Sequence, residues 1–500
     1  MTQITMDRNN YTFDRKGHDG NLLFVGGDLS GIQKFLYNIS SRKAAVSLKG
    51  RSFYLGKYME NVLARIISIP EIVKSGKNEV VYSSGGKFYL IIPDTQEIVS
   101  ALTAESKQIK RELWSKHKGE LSINIAWTSF CFNEDGTVST NAAKHEKIGV
   151  LWKDLTGAFT LQKNQKFKHV ILEDYAEFFE VKQVSANTKI CAITGIESNE
   201  CVPLGKEDGE KELFVLPSVR EQIELGKGLR NIEHFKTFEE YADNSFLGIL
   251  RMDVDGLGKR FINGFDSMDE YKTFSARLDK FFDTELKAIR QKPQYIDNVN
   301  IVYAGGDDLF AVGHWESLIE FAEEVRNAFV DYINDSSISI SGGIAIVKPK
   351  FPIAKAAEMA GEAEDAAKHF RNDEKNAFNM FGESLSWKDE FAYVKKFKME
   401  FVDLINIFGM SRGILHKLML YATIEKKNKQ REEENKNKDY SYIWHSTYYL
   451  TRYISRYNSS KEIKSFCMNL RDKELLKNDR NLELIAIAAR WAELELRDNK

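Results

Sequence analysis

Five hundred residues, 43% of them hydrophobic, can build several cores, and length alone predicts about three or four domains. Lys+Arg 71 against Asp+Glu 73 leaves a net charge of −2, a balance that excludes a free-standing high-affinity duplex binder and predicts that any nucleic acid is shared with partners. No stretch approaches the roughly 20 apolar residues that span a bilayer, Met1 to Asp19 lacks a signal-peptide run, and the cysteines at 131, 191, 201 and 467 form no disulfide framework, so the expectation is a cytoplasmic chain with no membrane contact.

In chain order, Leu22 to Asp28 (LLFVGGD) reads as a strand. Ser30 is placed to cap a helix over the following Gly31-Ile32-Gln33-Lys34-Phe35-Leu36-Tyr37. Arg51-Ser52-Phe53-Tyr54-Leu55 opens a helix expected to run to about Ile67, Val80 to Ile91 reads as a hairpin, and Ser122 to Trp127 as a strand. From Phe132 to Asp243 the periodicity is weak.

Phe246 to Gly258 reads as a buried strand ending in Asp253-Val254-Asp255-Gly256. Further on, Ile301-Val302-Tyr303-Ala304 and Leu309-Phe310-Ala311-Val312 flank Gly305-Gly306-Asp307-Asp308, two strands around a turn in which glycine supplies the positive φ. Adjacent acids at such a tip repel, and a cation, usually Mg²⁺, relieves them; a solvated Asp-Asp hairpin is the plainer reading of the turn alone. With the upstream strand beside the hairpin, Asp253 would face Asp307 and Asp308 across one strand spacing, about 5 Å. Three carboxylates there suit two-metal nucleotidyl transfer, with Mg²⁺ or Mn²⁺ as the ions. Asp255 joins them only if the strand continues regularly.

The series of elements occurs twice at a nearly constant offset. Asp28 falls on Asp253, Ser52 near Ser275, Tyr82 on Tyr303, and the Ser122 strand on Ser337 to Val347, which predicts a duplicated βαββαβ unit about a pseudo-twofold axis. The first copy has Gly86 and Lys87 where the second has Asp307 and Asp308, so it keeps only Asp28 and cannot build the same metal cage. Lys87 reads either as a phosphate contact or as a solvent-facing turn lysine.

After Phe381 the chain reads as helices: Phe391 to Phe408, Ser411 to Lys427, Ser441 to Tyr457, Lys461 to Asn469 and Asn481 to Arg497. The charged run 425–438 reads as a mobile connector, with RNA contact as the alternative.

Asp-Val-Asp-Gly-Leu-Gly from Asp253, Phe274-Ser275-Ala276-Arg277-Leu278-Asp279-Lys280-Phe281-Phe282, Gly305-Gly306-Asp307-Asp308, and Ser341 to Val347 followed by Lys348 to Ile353 together resemble, in order, the polymerase-type palm of the large subunit of type III CRISPR effector complexes, most closely the Csm type. The fold class this resemblance implies is α+β: two ferredoxin-like palm domains in tandem (a degenerate one over 1–131 and a catalytic one over 244–385), an intervening small α/β linker domain (132–243) and a C-terminal helical bundle (386–500). It implies that two ATP molecules meet between the palms and are joined into cyclic oligoadenylates once target RNA is bound. An adenosine hydroxyl would attack the α-phosphate of a neighbouring ATP, with Asp253, Asp307 and Asp308 as metal ligands and pyrophosphate leaving.

The resemblance further implies nucleotide contacts at Gly305, Gly306, Ser275, Asp28 and, more loosely, Ser52, and triphosphate contacts from Lys368 and Lys375 on a closing helix. A helix N-cap is the other reading of both serines, and solvated helix charges that of both lysines. Family members commonly carry a four-cysteine zinc site in the linker; here Cys191 and Cys201 supply one thiol of each pair, so no zinc is expected. The implied partners are guide RNA, target RNA and the backbone, guide 5′-end-binding and small helical subunits of a Csm- or Cmr-type complex. Many members begin with an HD nuclease domain, but only about twenty residues precede the first palm strand here; His18-Asp19 reads as incidental and no DNase activity is expected. An idle scaffold, and a palm enzyme that joins ATP to another acceptor, are the competing readings.

Overall fold

The computed structural model describes residues 21–498 apart from 41, 143, 174, 181–184, 186–187, 206–211, 244, 434–439, 458–459 and 476–479. The chain divides into two compact units, one of residues 1–340 with 345–361 and the other of residues 341–344 with 362–500.

The first unit holds two mixed layers of the same design. Strands β1 (Leu22–Ser30), β2 (Glu79–Ser84), β3 (Lys87–Pro93), β4 (Ser122–Phe132) and β5 (Val138–Thr140) form a sheet in the order β2-β3-β1-β4-β5. Two short hairpins follow, β6 (Lys189–Ile190) with β7 (Glu197–Ser198) and β8 (Val202–Pro203) with β9 (Phe214–Val215). In the second sheet, β10 (Leu247–Asp255), β11 (Val299–Gly305), β12 (Asp308–His314) and β13 (Ser339–Val347) are ordered β11-β12-β10-β13.

The duplication extends to register. Asp28 lies opposite Lys87 in β1–β3 just as Asp253 lies opposite Asp308 in β10–β12. Both hairpins carry an irregularity at the same place, between Val80 and Tyr82 in one and between Ile301 and Tyr303 in the other. A bulge increases local twist and re-aims the tip of a hairpin, so both tips inherit the same bend.

Alternation along β1 sends Leu23 and Val25 to one face and Leu22 and Phe24 to the other. The first face packs on helices Ala44–Ile67 and Gln96–His117 through Leu55, Val62, Leu102 and Ile109, in a core continuous with Ile249, Val302 and Val312 of the second sheet. Against the other face lie Trp152 and Leu155 of helix Gly149–Asn164, and Tyr271 of helix Met268–Lys280 packs on Trp152 at a tilt, with ring centroids 4.1 Å apart.

Three local expectations are corrected. Ser30 ends β1 instead of capping the next helix, which starts at Ile32 after a left-handed Gly31; the Ser30 hydroxyl accepts from Asn124 Nδ2 at 3.0 Å. The helix expected to open at Arg51 begins at Ala44, because Ala44, Ala45, Val46 and Leu48 bury a first turn and a half. The charged run from Glu425 continues helix Gly413–Glu433 as far as Glu433, since Glu, Lys, Gln and Arg are good helix formers; residues 434–438 of that run lie outside the described residues.

In the second unit, β14 (Ala377–Met380) runs parallel to residues Gly342 and Gly343 and forms a hairpin with β15 (Glu383–Ser386). Helices Glu390–Asn406, Gly413–Glu433, Ser441–Arg456, Lys461–Asn469 and Asn481–Asp498 follow. Asn481–Asp498 is the core helix, with Leu484, Ile485, Ala488, Trp491 and Leu494 buried and Phe391 against Trp491 at 6.0 Å. Among the described residues no helix is long and apolar enough to cross a membrane.

Candidate metal centre

The turn between β11 and β12 is tighter than the four residues expected: Gly305 and Asp308 are paired, leaving Gly306 and Asp307 as its two central residues. Gly306 has φ +70° while Asp307 is not in the left-handed region, the pattern of a two-residue hairpin with glycine first. An L-aspartate therefore occupies position 307 without strain. In the first sheet both central residues, Gly85 and Gly86, have positive φ.

Asp308 opens β12 directly opposite Asp253 on β10, and the Asp307 carbonyl accepts the Val254 N–H at 3.1 Å, fastening the tip to that strand. Asp253, Asp307 and Asp308, all half-buried, each offer a carboxylate oxygen within 4.8 Å of the others. At that separation each pair of charges repels by about 3–4 kcal/mol at an effective dielectric near 20. Such a set of hard oxygen donors fits a divalent cation of the Mg²⁺ or Mn²⁺ type.

The phenols beside this cluster stay protonated. Burial, then Asp279 and Asp307, push the Tyr82 hydroxyl up; burial, then Asp308 and Asp307, do the same to Tyr303, whose hydroxyl donates to the Gly305 carbonyl at 3.3 Å. Neither adds a negative charge to the tip.

The first sheet reaches into this centre. Gly306 N–H donates to Ser84 Oγ at 3.0 Å, and the backbone of Gly85 lies against Gly305 and Gly306. Lys49 Nζ donates to the Ile301 carbonyl at 2.8 Å, Lys272 pairs with the buried Glu79 at 2.7 Å, and Tyr37 packs on Phe310 at 4.7 Å. Ser84, Tyr82, Tyr303 and Asp279 were not singled out from sequence as site residues. The equivalence of Tyr82 and Tyr303 in the repeat was the available signal for those two; Ser84 acts across 222 positions of sequence, a separation no local pattern reports.

The other expected site residues fall as follows. Asp28 is buried and ion-paired with Lys163 at 2.8 Å, and Lys87 is exposed at the start of β3. Ser275 is buried in the middle of helix Met268–Lys280, whose cap is Ser267, and Ser52 lies inside helix Ala44–Ile67, so neither is an N-cap. Asp255 stands outside the acidic cluster, buried and accepting from Ser339 Oγ at 2.6 Å. In the second unit, Lys368 pairs with Glu364 at 2.6 Å, and Lys375 sits at φ +61° before β14. Cys191 lies in the connection between β6 and β7 and Cys201 just after β7, with the Cys201 thiol directed to the Lys189 carbonyl. His18 and Asp19 lie outside the described residues.

Residues 246–379 match the family model described as Cas10/Cmr2, second palm domain, and residues 21–183 match that of the Csm1 subunit domain B. Two relatives are each named CRISPR system single-strand-specific deoxyribonuclease Cas10/Csm1 (subtype III-A). The one from Enterococcus italicus is 26% identical over 442 residues, covering 75% of this chain and 56% of the relative. That from Streptococcus thermophilus is 24% identical over 491 residues, covering 86% and 62%. The chain thus spans about three fifths of the relatives it matches. Among solved structures, the apo Csm1-Csm4 cassette shares the fold with a TM-score of 0.66 at 19% identity, over 97% of this chain and 71% of that one. The same cassette with cA4 gives 0.64 at 19% over 95% and 70%, and with one ATP 0.64 at 19% over 96% and 72%.

Proposed function

We propose that this chain, which matches the Cas10/Cmr2 second palm and Csm1 domain B models, is the palm-bearing large subunit of a Csm-type type III CRISPR complex and joins ATP into cyclic oligoadenylates when target RNA is bound. The observation that carries the reading is the convergence of Asp253, Asp307 and Asp308 within 4.8 Å at a strand end and hairpin tip. Related cassettes have been solved with ATP and with cA4, which supports a nucleotide reaction at this kind of site.

Asp253, Asp307 and Asp308 would hold divalent ions, which when bound neutralise charge on the triphosphate and favour ionisation of the attacking hydroxyl. The chain's own part is to hold three carboxylates together, to keep Tyr82 and Tyr303 neutral beside them, and to fix the turn through Ser84. Gly305 and Gly306, having no side chains, let the Gly85 backbone close on the tip, and both remain proposed nucleotide contacts. Ser275, Ser52, Asp28, Lys368 and Lys375 are proposed nucleotide contacts; for Asp28 this requires exchange of its Lys163 partner. The organisation that goes with this reading is a degenerate palm over 1–131, a linker over 132–243, a catalytic palm over 244–385 and a helical domain over 386–500, in a cytoplasmic complex with guide RNA, target RNA and other Csm subunits.

The two relatives are named single-strand-specific deoxyribonucleases. In this chain the palm serves nucleotidyl transfer and not DNA cleavage. Incubating the assembled complex with ATP, Mg²⁺ and target RNA, resolving products by mass spectrometry, and supplying single-stranded DNA in a parallel reaction separates the possibilities. Target-dependent oligoadenylate supports the proposal, whereas DNA cleavage abolished by loss of the acidic cluster would contradict it. Sequencing the RNA that co-purifies with the tagged chain tests the partners.

A further inference from the structure

A cavity of about 260 Å³ opens beside the start of β4, lined by Lys110, Ser122, Phe167, Lys168, His169 and Leu172 among others. Its walls include three lysines and a histidine but no Asp or Glu. Two polar atoms in that wall have no hydrogen-bond partner: the hydroxyl of Ser122, which is only 8% exposed, and His169 Nε2. Buried polar groups are almost always satisfied, so both point to something that binds between them.

Lys110 adds the charge. Its ammonium donates to Gln162 Oε1 at 2.9 Å, an oxygen already accepting the Ile125 N–H at 3.2 Å. A half-buried cation is thereby left with a neutral, shared acceptor, and burial pushes its pKa down to about 8. His169 is pushed down as well, by burial and then by Lys110. A dianion between them would relieve both.

We propose that this cavity binds a phosphate dianion, either inorganic phosphate or the terminal phosphate of a small nucleotide, through Lys110, His169 and the Ser122 hydroxyl. Its volume lies just under the range of about 300–1,000 Å³ usual for small-molecule sites, which suits a small phosphorylated ligand and not a strand that must enter and leave. Phe167, held at φ +59°, and Leu172 give the cavity an apolar wall for a sugar or base. Charge-assisted hydrogen bonds to the oxyanion supply the affinity.

The test is calorimetric titration of the full-length chain, in EDTA, with inorganic phosphate, AMP and adenosine. Phosphate and AMP are expected to bind and adenosine not to. AMP binding more tightly than phosphate identifies a nucleotide as the source, and equal affinities identify phosphate itself. His169→Ala and Lys110→Gln should each weaken binding about tenfold or more, while the Asp307→Ala/Asp308→Ala protein titrates like the parent, separating this cavity from the acidic cluster. Absence of phosphate and AMP binding, adenosine binding as well as AMP, or unchanged affinity in the His169→Ala protein overturns the proposal. If Lys110→Gln fails to fold, the half-exposed His169 decides alone.

Discussion

Gly85→Ala tests whether the first sheet sets the geometry of the acidic turn. An added Cβ would stand 3.0 Å from Gly306 Cα, 3.1 Å from the Gly305 carbonyl oxygen and 3.3 Å from Gly306 N. All three are backbone atoms, so no side chain can swing away. At φ +58° the alanine also costs about 1–2 kcal/mol in strain, and overpacking adds about 1–3 kcal/mol if the turn holds its place. Strand pairing, the Val254 N–H and the Tyr303 hydroxyl hold the turn from its own sheet, and against a backbone contact this short it should yield by a few tenths of an ångström. A misplacement near 1 Å costs on the order of a hundredfold in rate, and a smaller shift should slow oligoadenylate synthesis about tenfold. The control is Gly136→Ala, at φ +81° with nothing within 4 Å of its added carbon; it carries strain without the clash and should synthesise normally while losing similar strain energy in thermal denaturation. Synthesis by Gly85→Ala at the rate of Gly136→Ala would refute the coupling.

Ser84→Ala removes the acceptor of the Gly306 N–H, and a loss of about 0.5–1.5 kcal/mol in stability should accompany severalfold slower synthesis at unchanged ATP affinity, read from steady-state rates and equilibrium dialysis. Asp255→Asn should lower stability by about 1–2 kcal/mol and leave Mn²⁺ affinity near the parent value, whereas Asp253→Asn should forfeit Mn²⁺ binding in an electron paramagnetic resonance titration. Burial, reinforced by Lys116 and Arg51, pushes the His117 imidazole down to about 4 from 6.5, and its Nε2 lies 2.8 Å from the Tyr54 hydroxyl. The unfolded chain then binds a proton that the folded one refuses between those values, so this contribution is complete above pH 6.5 and is lost as pH falls toward 4. The amount is up to about 3 kcal/mol, and urea denaturation of His117→Gln against the parent across that window should show the pH slope reduced.

What was legible in the chain was whatever a short window encodes. Alternation in Ile301 to Val312, the Gly-Gly pair that permits a tight tip, and the recurrence of Asp28 and Tyr82 as Asp253 and Tyr303 led to two similar sheets and to three acids gathered at one strand end. A place for β10 beside the hairpin was also legible, because it puts Asp253 by the tip; that β10 pairs with β12 and not with β11 was not. Contacts made across the duplication were not legible: Ser84 with Gly306, Lys49 with Ile301 and Tyr271 with Trp152 join segments more than a hundred residues apart. Asp255 illustrates a limit of alternation, since a regular strand directs it to the same side as Asp253 yet Ser339 on the neighbouring β13 captures it. The early start of helix Ala44–Ile67 and the helical stretch to Glu433 depend on burial and on a long run of good helix formers.

The central claim is that Asp253, Asp307 and Asp308 jointly hold the ions on which nucleotide joining depends. Mass-resolved oligoadenylate production by the assembled, target-bound complex carrying Asp307→Ala with Asp308→Ala tests it most directly, with size-exclusion chromatography confirming that the complex still forms. The account predicts intact assembly and a loss of product of at least about a thousandfold, given the several kcal/mol of transition-state charge stabilisation that metal ions supply. Product at the parent rate from that double variant would contradict it.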